Sequence, residues 1–247
     1  MNEISNFHDH VAHMDTIDVA QLGSSLVVAP HPDDETLGCG GTVAMMHKQG
    51  IAVHFLFISD GSMSHPNSKQ FPSEKLRDLR EQEARKAVQI LVGNTDHINF
   101  FRLKDSLVPD KNSALFSETV ERVTRLINQV RPETIFVPWQ QDPHRDHRAT
   151  WEILSEAVKN ATAKPRFLEY PIWFWELGKR EDLELIGQMK KLAVAIDETL
   201  EIKNKALAAH VSQVTHLIDD DPEGFMLSAE VIAHFNTPRE LFFESAS

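Results

Sequence analysis

Apolar residues fall into short unbroken runs, separated by stretches in which they recur every three or four positions. Ser25–Pro30 (SLVVAP), Ala52–Ser59 (AVHFLFIS), His97–Leu103 (HINFFRL), Thr134–Pro138 (TIFVP) and Arg166–Tyr170 (RFLEY) are too short for helices. They are rich in β-branched and aromatic residues and predict strands, and Leu192–Ile196 (LAVAI) predicts a late one. From Ser73, the positions Leu76, Leu79, Ala84, Ala87, Val88 and Leu91 follow helical spacing until Gly93-Asn94 stops the run. Val120, Val123, Ile127 and Val130 mark another helix, which must end near Arg131-Pro132 because the residue before a proline avoids helical geometry. Thr42–Lys48 and Arg148–Lys159 read as helices, and Asp197 is placed to cap one running to about Val211. Strands alternating with helices build βαβ units, so the pattern predicts one α/β domain over residues 1–247. Its sheet should be mostly parallel with helices on both faces. Residues 1–23 are expected to form an N-terminal extension outside the core, with Phe7–His13 (FHDHVAH) on its surface.

The bulk numbers narrow the function. A net charge of −12 argues against a protein that tracks nucleic-acid phosphates or an anionic membrane surface. A single cysteine, Cys39, excludes an internal disulfide framework and suits a reducing compartment. The first residues lack a basic segment followed by an apolar one, as a signal peptide requires, and no apolar run approaches a membrane span. A cytoplasmic protein acting on a small molecule is the expectation.

Two polar clusters change the picture. The first strand runs directly into His31-Pro32-Asp33-Asp34-Glu35, and the strand Thr134–Pro138 is followed by Gln140–Thr150 (QQDPHRDHRAT). In a parallel sheet the ligand site lies beyond the carboxyl ends of the strands, so both clusters border one site. Pro30 and Pro32 stiffen the turn that aims His31 and Asp34. A third metal ligand is available from His144 or His147 on the neighbouring rim. Two histidines and a carboxylate with an open position form a common catalytic zinc site, which lowers the pKa of bound water to about 7. Asp33 is then free to move protons. The remaining histidine, if protonated, would face a developing oxyanion, with Asp146 as its partner. Together these parts describe metal-assisted hydrolysis of an amide or ester.

The stretch APHPDDETLGCGG with PHRDH resembles the PIG-L/LmbE family of metal-dependent, usually zinc-dependent, N-acetyl-sugar deacetylases. LREQEARKAVQILVG (Leu79–Gly93) is similar to that family's Arg-x-x-Glu-Ala helix, and KNKALAAHVSQ (Lys203–Gln213) to its Lys-x-x-Ala-x-x-x-His-x-x-Gln helix. RLKDS (Arg102–Ser106) stands where the family usually has Asp-Gly, with Ser106 in place of the glycine. The resemblance implies a Rossmann-like fold in which His31, Asp34 and His147 ligate the metal and Asp33 is the general base. It also makes His144 the oxyanion-side or general-acid group, oriented by Asp146. The implied reaction releases acetate and a free amine from an N-acetylglucosamine conjugate, with zinc as cofactor and iron(II) as the alternative metal.

Other features fit two roles each. Arg80 fits either a contact to a substrate oxygen or a surface residue paired with Glu83, and the resemblance implies a substrate role for Asp105. The aromatic run Tyr170–Glu176 (YPIWFWE) suits a core, a homo-oligomer interface or a sugar platform. Asp60–Ser73 borders the same rim as a substrate lid or a mobile loop, and Cys39 reads as a small packing residue. Two rival functions share the ligand set: a non-haem iron(II) enzyme and a sugar-binding protein without turnover.

Overall fold

Strands whose residues are apolar on both faces must be covered on both, and the sheet of this protein is built that way. The computed structural model describes Phe7, Val11, Met14 and residues 16–245; His8, His10 and His13 of the N-terminal histidine segment lie outside the described residues. Strands β1 (Ser25–Ala29), β2 (Val53–Ser59), β3 (Ile98–Leu103), β4 (Thr134–Pro138) and β5 (Arg166–Tyr170) pair in parallel. Strands β6 (Lys190–Ala195) and β7 (Arg239–Glu244) close one edge antiparallel, giving the order β3-β2-β1-β4-β5-β7-β6. Every residue of β1 and β4 is buried.

One face carries helices α1 (Asp34–Lys48) and α2 (Ser73–Val92), packed through Leu37, Val43, Ala84, Val88 and Leu91 onto Val27, Phe55 and Phe57. The other carries α3 (Phe116–Val130) and α4 (Arg145–Asn160), where Val123, Ile127, Ile153 and Leu154 meet Leu26, Val28, Ile58 and Ile135. The chain continues through α5 (Phe174–Leu177), α6 (Arg180–Gly187), α7 (Leu200–Leu207), α8 (Val211–Val214) and α9 (Ala229–Phe235).

Four expectations are corrected. Helix α1 begins at Asp34, not Thr42. Gly38 and Gly41, poor helix formers in isolation, are needed there because a Cβ would strike the Tyr170 ring at Gly38 and Ile196 at Gly41. Helix α4 begins at Arg145, so Asp146 and His147 lie in its first turn. The late helix starts after Thr199, not Asp197, and breaks between Leu207 and Val211, where His210 turns inward. Finally, the described part of residues 1–23 does not lie outside the core. Val19 and Leu22 are fully buried, and the Ile17 N–H donates to the Ala193 carbonyl on β6.

Candidate metal and catalytic site

Strand order reverses between β1 and β4, and the crevice this leaves lies beyond their carboxyl ends. The chain leaves β1 through Pro30–Asp33 directly into α1, and leaves β4 through Trp139–His144 into α4. His31, Asp33 and Asp34 therefore meet His144, Asp146 and His147, residues more than a hundred positions away in sequence.

Asp34 stands between two imidazoles. Its Oδ2 lies 3.3 Å from His31 Nδ1 and 3.3 Å from His147 Nε2, and also accepts the His31 backbone N–H at 2.9 Å. The three imidazoles of His31, His144 and His147 have ring nitrogens within 4.8 Å of one another; His31, Asp105 and Asp146 form an overlapping set. Asp105 Oδ1 lies 3.3 Å and Asp146 Oδ2 3.5 Å from His31 Nε2. The His31 Nε2 and both ring nitrogens of His147 are buried without a hydrogen bond. Buried polar atoms are normally hydrogen-bonded; His147 Nε2 beside Asp34, and His31 Nε2 between Asp105 and Asp146, lack such bonds and fit the neighbourhood of a cation. Imidazole and carboxylate donors suit zinc or iron(II).

The electrostatics agree. Burial alone would lower the His147 imidazole, but Asp34 and Asp142 outweigh it and lift it to about 9. Burial likewise opposes, and Asp105, Asp146 and Asp34 overcome, a rise at His31. Against the upward push of burial, His147 and His31 hold Asp34 well below the usual carboxylate range. A pocket that draws positive charge onto its imidazoles is one in which a divalent cation is welcome.

His144 takes a different state from the expected one. It caps α4, and its Nδ1 accepts the Asp146 backbone N–H at 3.2 Å. Burial, with His147 and His31 nearby, pushes this imidazole down to about 4. It is therefore neutral at pH 7, and with Nδ1 accepting, its proton sits on Nε2. The expectation that the Asp146 carboxylate orients and charges His144 is corrected: that carboxylate accepts the N–H groups of Ser106 (2.7 Å) and Val108 (3.3 Å) and faces His31. Of Asp146, only the backbone N–H bonds His144; its carboxylate acts on the imidazole through charge alone.

Asp33 is buried, with the carboxyl pushed up to about 7 by burial, Arg80 opposing the rise and Asp34 adding to it. Its φ of 135° lies where non-glycine residues are rarely found. The turn is held by the Asp33 N–H donating to Glu35 Oε2 at 2.9 Å. Arg80 is no surface residue and does not pair with Glu83. Its Nη2 donates to the Pro32 carbonyl (2.7 Å) and Asp33 Oδ2 (3.2 Å), and Nη1 to the Gly61 carbonyl (2.8 Å). Ser106 adopts φ 66°, the left-handed conformation glycine takes most readily. It keeps the turn that presents Asp105, whose Oδ2 accepts the Met63 N–H.

Several supporting roles were absent from the sequence reading. Asp142 is fully buried; it lies 3.3 Å from His147 Nδ1 and accepts the N–H groups of His144, Ile172 and Trp173. A carboxylate behind a ligand histidine fixes its ring and tautomer. Below the turn, His210 Nε2 meets Glu35 Oε1 at 2.9 Å, and Glu83 accepts from the Ser212 N–H and hydroxyl. The Asp60–Ser73 loop is tied down, not loose: Asp220 accepts from Ser68, Lys69 and Gln70, and Asp221 from Asn67. The aromatic run divides, with Tyr170 and Phe174 in the core and Trp173 on the cleft. Cys39 is buried at a kink in α1, a packing role.

The cleft has a volume of about 430 Å³ and opens over His31, Asp33, Asp34, Asp105 and His144. A Rossmann-like α/β scaffold here brings together, at its switch point, imidazoles and carboxylates that could hold a metal ion. More narrowly, the profile of the PIG-L family, described as GlcNAc-PI de-N-acetylase, matches residues 26–158, and the chain belongs to that family. A probable N-acetyl-alpha-D-glucosaminyl L-malate deacetylase 2 of Bacillus subtilis is 27% identical over 84% of this chain and 91% of its own. A 4-oxalmesaconate hydratase of Pseudomonas putida is 26% identical over 61% and 57%. In fold, the N,N'-diacetylchitobiose deacetylase of Pyrococcus horikoshii superposes with a TM-score of 0.63 at 20% identity, over 86% of this chain and 80% of that one. No helix among the described residues is long and apolar enough to cross a membrane.

Proposed function

We propose that this enzyme hydrolyses the acetamide of an N-acetylated amino-sugar conjugate, an N-acetylglucosamine derivative, with one zinc ion held by His31, Asp34 and His147. The observation that carries this reading is the Asp34 carboxylate set between the imidazoles of His31 and His147, with His31 Nε2 and both His147 nitrogens buried without a hydrogen bond and Asp33 beside them on the cleft. A metal there would supply a Lewis acid and an acidified water. Asp33, with a carboxyl near 7, accepts the proton of the attacking water and passes it to the leaving nitrogen as the C–N bond breaks. His144 donates from Nε2 to the carbonyl oxygen as it gains negative charge, and its neutral state costs the site no second cation. Asp146 and Asp142 position His31, His144 and His147; Asp105 holds the Met63 turn at the cleft wall.

Arg80 sets the working range of Asp33. Removing its charge in Arg80→Gln raises the Asp33 pKa, so the base stays protonated to higher pH. Activity at pH 7 is expected to fall about tenfold or more, and the acidic limb of the kcat/KM profile to move to higher pH. An unmoved limb would detach Arg80 from the base.

The relative named as a hydratase makes product identity decisive, since adding water to a double bond releases no acetate. Zinc-loaded protein incubated with N-acetylglucosaminyl glycosides is expected to yield acetate and primary amine in equal amounts. Neither product, with hydration of 4-oxalmesaconate instead, would contradict the proposal.

A further inference from the structure

Among the described residues, seven large hydrophobic side chains are exposed, and three of them, Met63, Leu177 and Phe225, line this one cleft. They come from three separate segments. Met63 sits on the loop after β2, Leu177 ends α5, and Phe225 precedes α9. Isolated exposed apolar residues need no explanation, but a set converging on a single opening does. Trp173 joins them, its ring edge-on to Phe225 at 5.6 Å between centroids, and Ile172 and Leu227 continue the wall. The rim is held in shape by backbone: the Phe225 N–H donates to the Ser64 carbonyl at 2.6 Å, and the Trp173 N–H to Asp142 Oδ2 at 3.0 Å.

The polar inventory of the cleft lies deeper. Gln213 is fully buried, its Nε2 donating to Ser64 and Ser212 while Oε1 has no partner. That oxygen is an acceptor left unused at the cleft wall. Charge on the lining is one-sided: Asp33, Asp34 and Asp105 are acidic, and Arg80 is the one lysine or arginine among the described lining residues. Both of its Nη atoms are engaged by Pro32, Gly61 and Asp33. An acidic aglycone entering over Trp173 and Phe225 would meet apolar surface there, the one lysine or arginine of the described lining being Arg80, of which only the buried Nε lacks a partner, and a desolvated anion without a partner is costly.

We infer that the outer half of the cleft, formed by Met63, Trp173, Leu177 and Phe225, is a subsite for an uncharged apolar aglycone with an aromatic ring. This rests on the amino-sugar deacetylase reading of the inner half. Aromatic walls reward flat apolar groups by area and by edge-to-face geometry.

The test compares three glycosides of N-acetylglucosamine, carrying methyl, phenyl or carboxymethyl at the anomeric oxygen. Acetate release is followed with the zinc-loaded full chain, and calorimetry gives the affinity of the three matching amines, which are not turned over. The phenyl compound is expected to exceed methyl by about tenfold in kcat/KM and in affinity, and carboxymethyl to fall below methyl. In Phe225→Ala and Leu177→Ala, both exposed positions whose loss leaves the core intact, the phenyl-to-methyl ratio should fall towards one. Equal methyl and phenyl values, or a preference for carboxymethyl, would overturn the subsite. A phenyl preference in binding with no acetate from any glycoside would support the subsite and overturn the deacetylase reading instead.

Discussion

Asp33→Ala is expected to hold its metal as fully as the parent and to lose about 10²–10⁴-fold in kcat, the usual contribution of a positioned general base. The retention follows from geometry. Asp34, His31 and His147 face one another directly, while the Asp33 carboxylate turns to Arg80. The loss follows because no other carboxyl on the cleft is poised near neutrality: against burial, His147 and His31 hold Asp34 below the usual range, and His31 and Arg80 hold Asp105 below it. Asp33→Asn keeps the shape and the Arg80 contact but cannot accept a proton, so it should be equally impaired. Metal per chain and steady-state acetate release, measured on the same preparations, check the prediction. Loss of metal from Asp33→Ala would make Asp33 a ligand and reverse the roles assigned to the pair.

The second large effect is on stability. Lys203 and Glu240 form an ion pair of 2.7 Å with side chains almost wholly buried. Glu240 also accepts the N–H groups of Gly41 and Thr42, and Lys203 donates to the Leu37 carbonyl. The pair thus ties β7 and α7 to the kinked, glycine-rich α1, whose first residue is Asp34. Lys203→Ala strands a buried carboxylate and is expected to cost about 3–5 kcal/mol, a large part of a typical domain's stability. Lys203→Met with Glu240→Gln should recover much of it, since no charge is then left unpaired. Urea midpoints at constant slope decide the matter; a single-variant loss under about 1 kcal/mol would mean the pair is bypassed.

These two predictions also mark what the sequence made legible. The strands β1, β2 and β4 were readable because both faces are covered and their residues are mostly apolar, and β5 by its length and its aromatic and apolar content. His31, Asp33, Asp34, His144 and His147 were readable because they follow such strands at one end of the sheet. Strand β7 was not, since Glu240 breaks the apolar run and is buried only by virtue of a lysine 37 residues away. The start of α1 was hidden by glycines that make sense only against Tyr170 and Ile196. The start of α4 carried a signal, an acid in the first turn after a capping residue, while the His144 tautomer follows from the Asp146 backbone N–H. Asp142 and the carboxylate of Asp146 act through contacts that no local spacing encodes.

The most direct measurement is a zinc titration of chelator-treated protein, with acetate release from an N-acetylglucosaminyl glycoside as the readout. Activity is expected to be absent without metal and to rise in proportion to added zinc up to one equivalent per chain. Acetate release that persists at full rate in the chelated protein, or one bound zinc that restores none, would contradict a metal held by His31, Asp34 and His147 as the centre of the reaction.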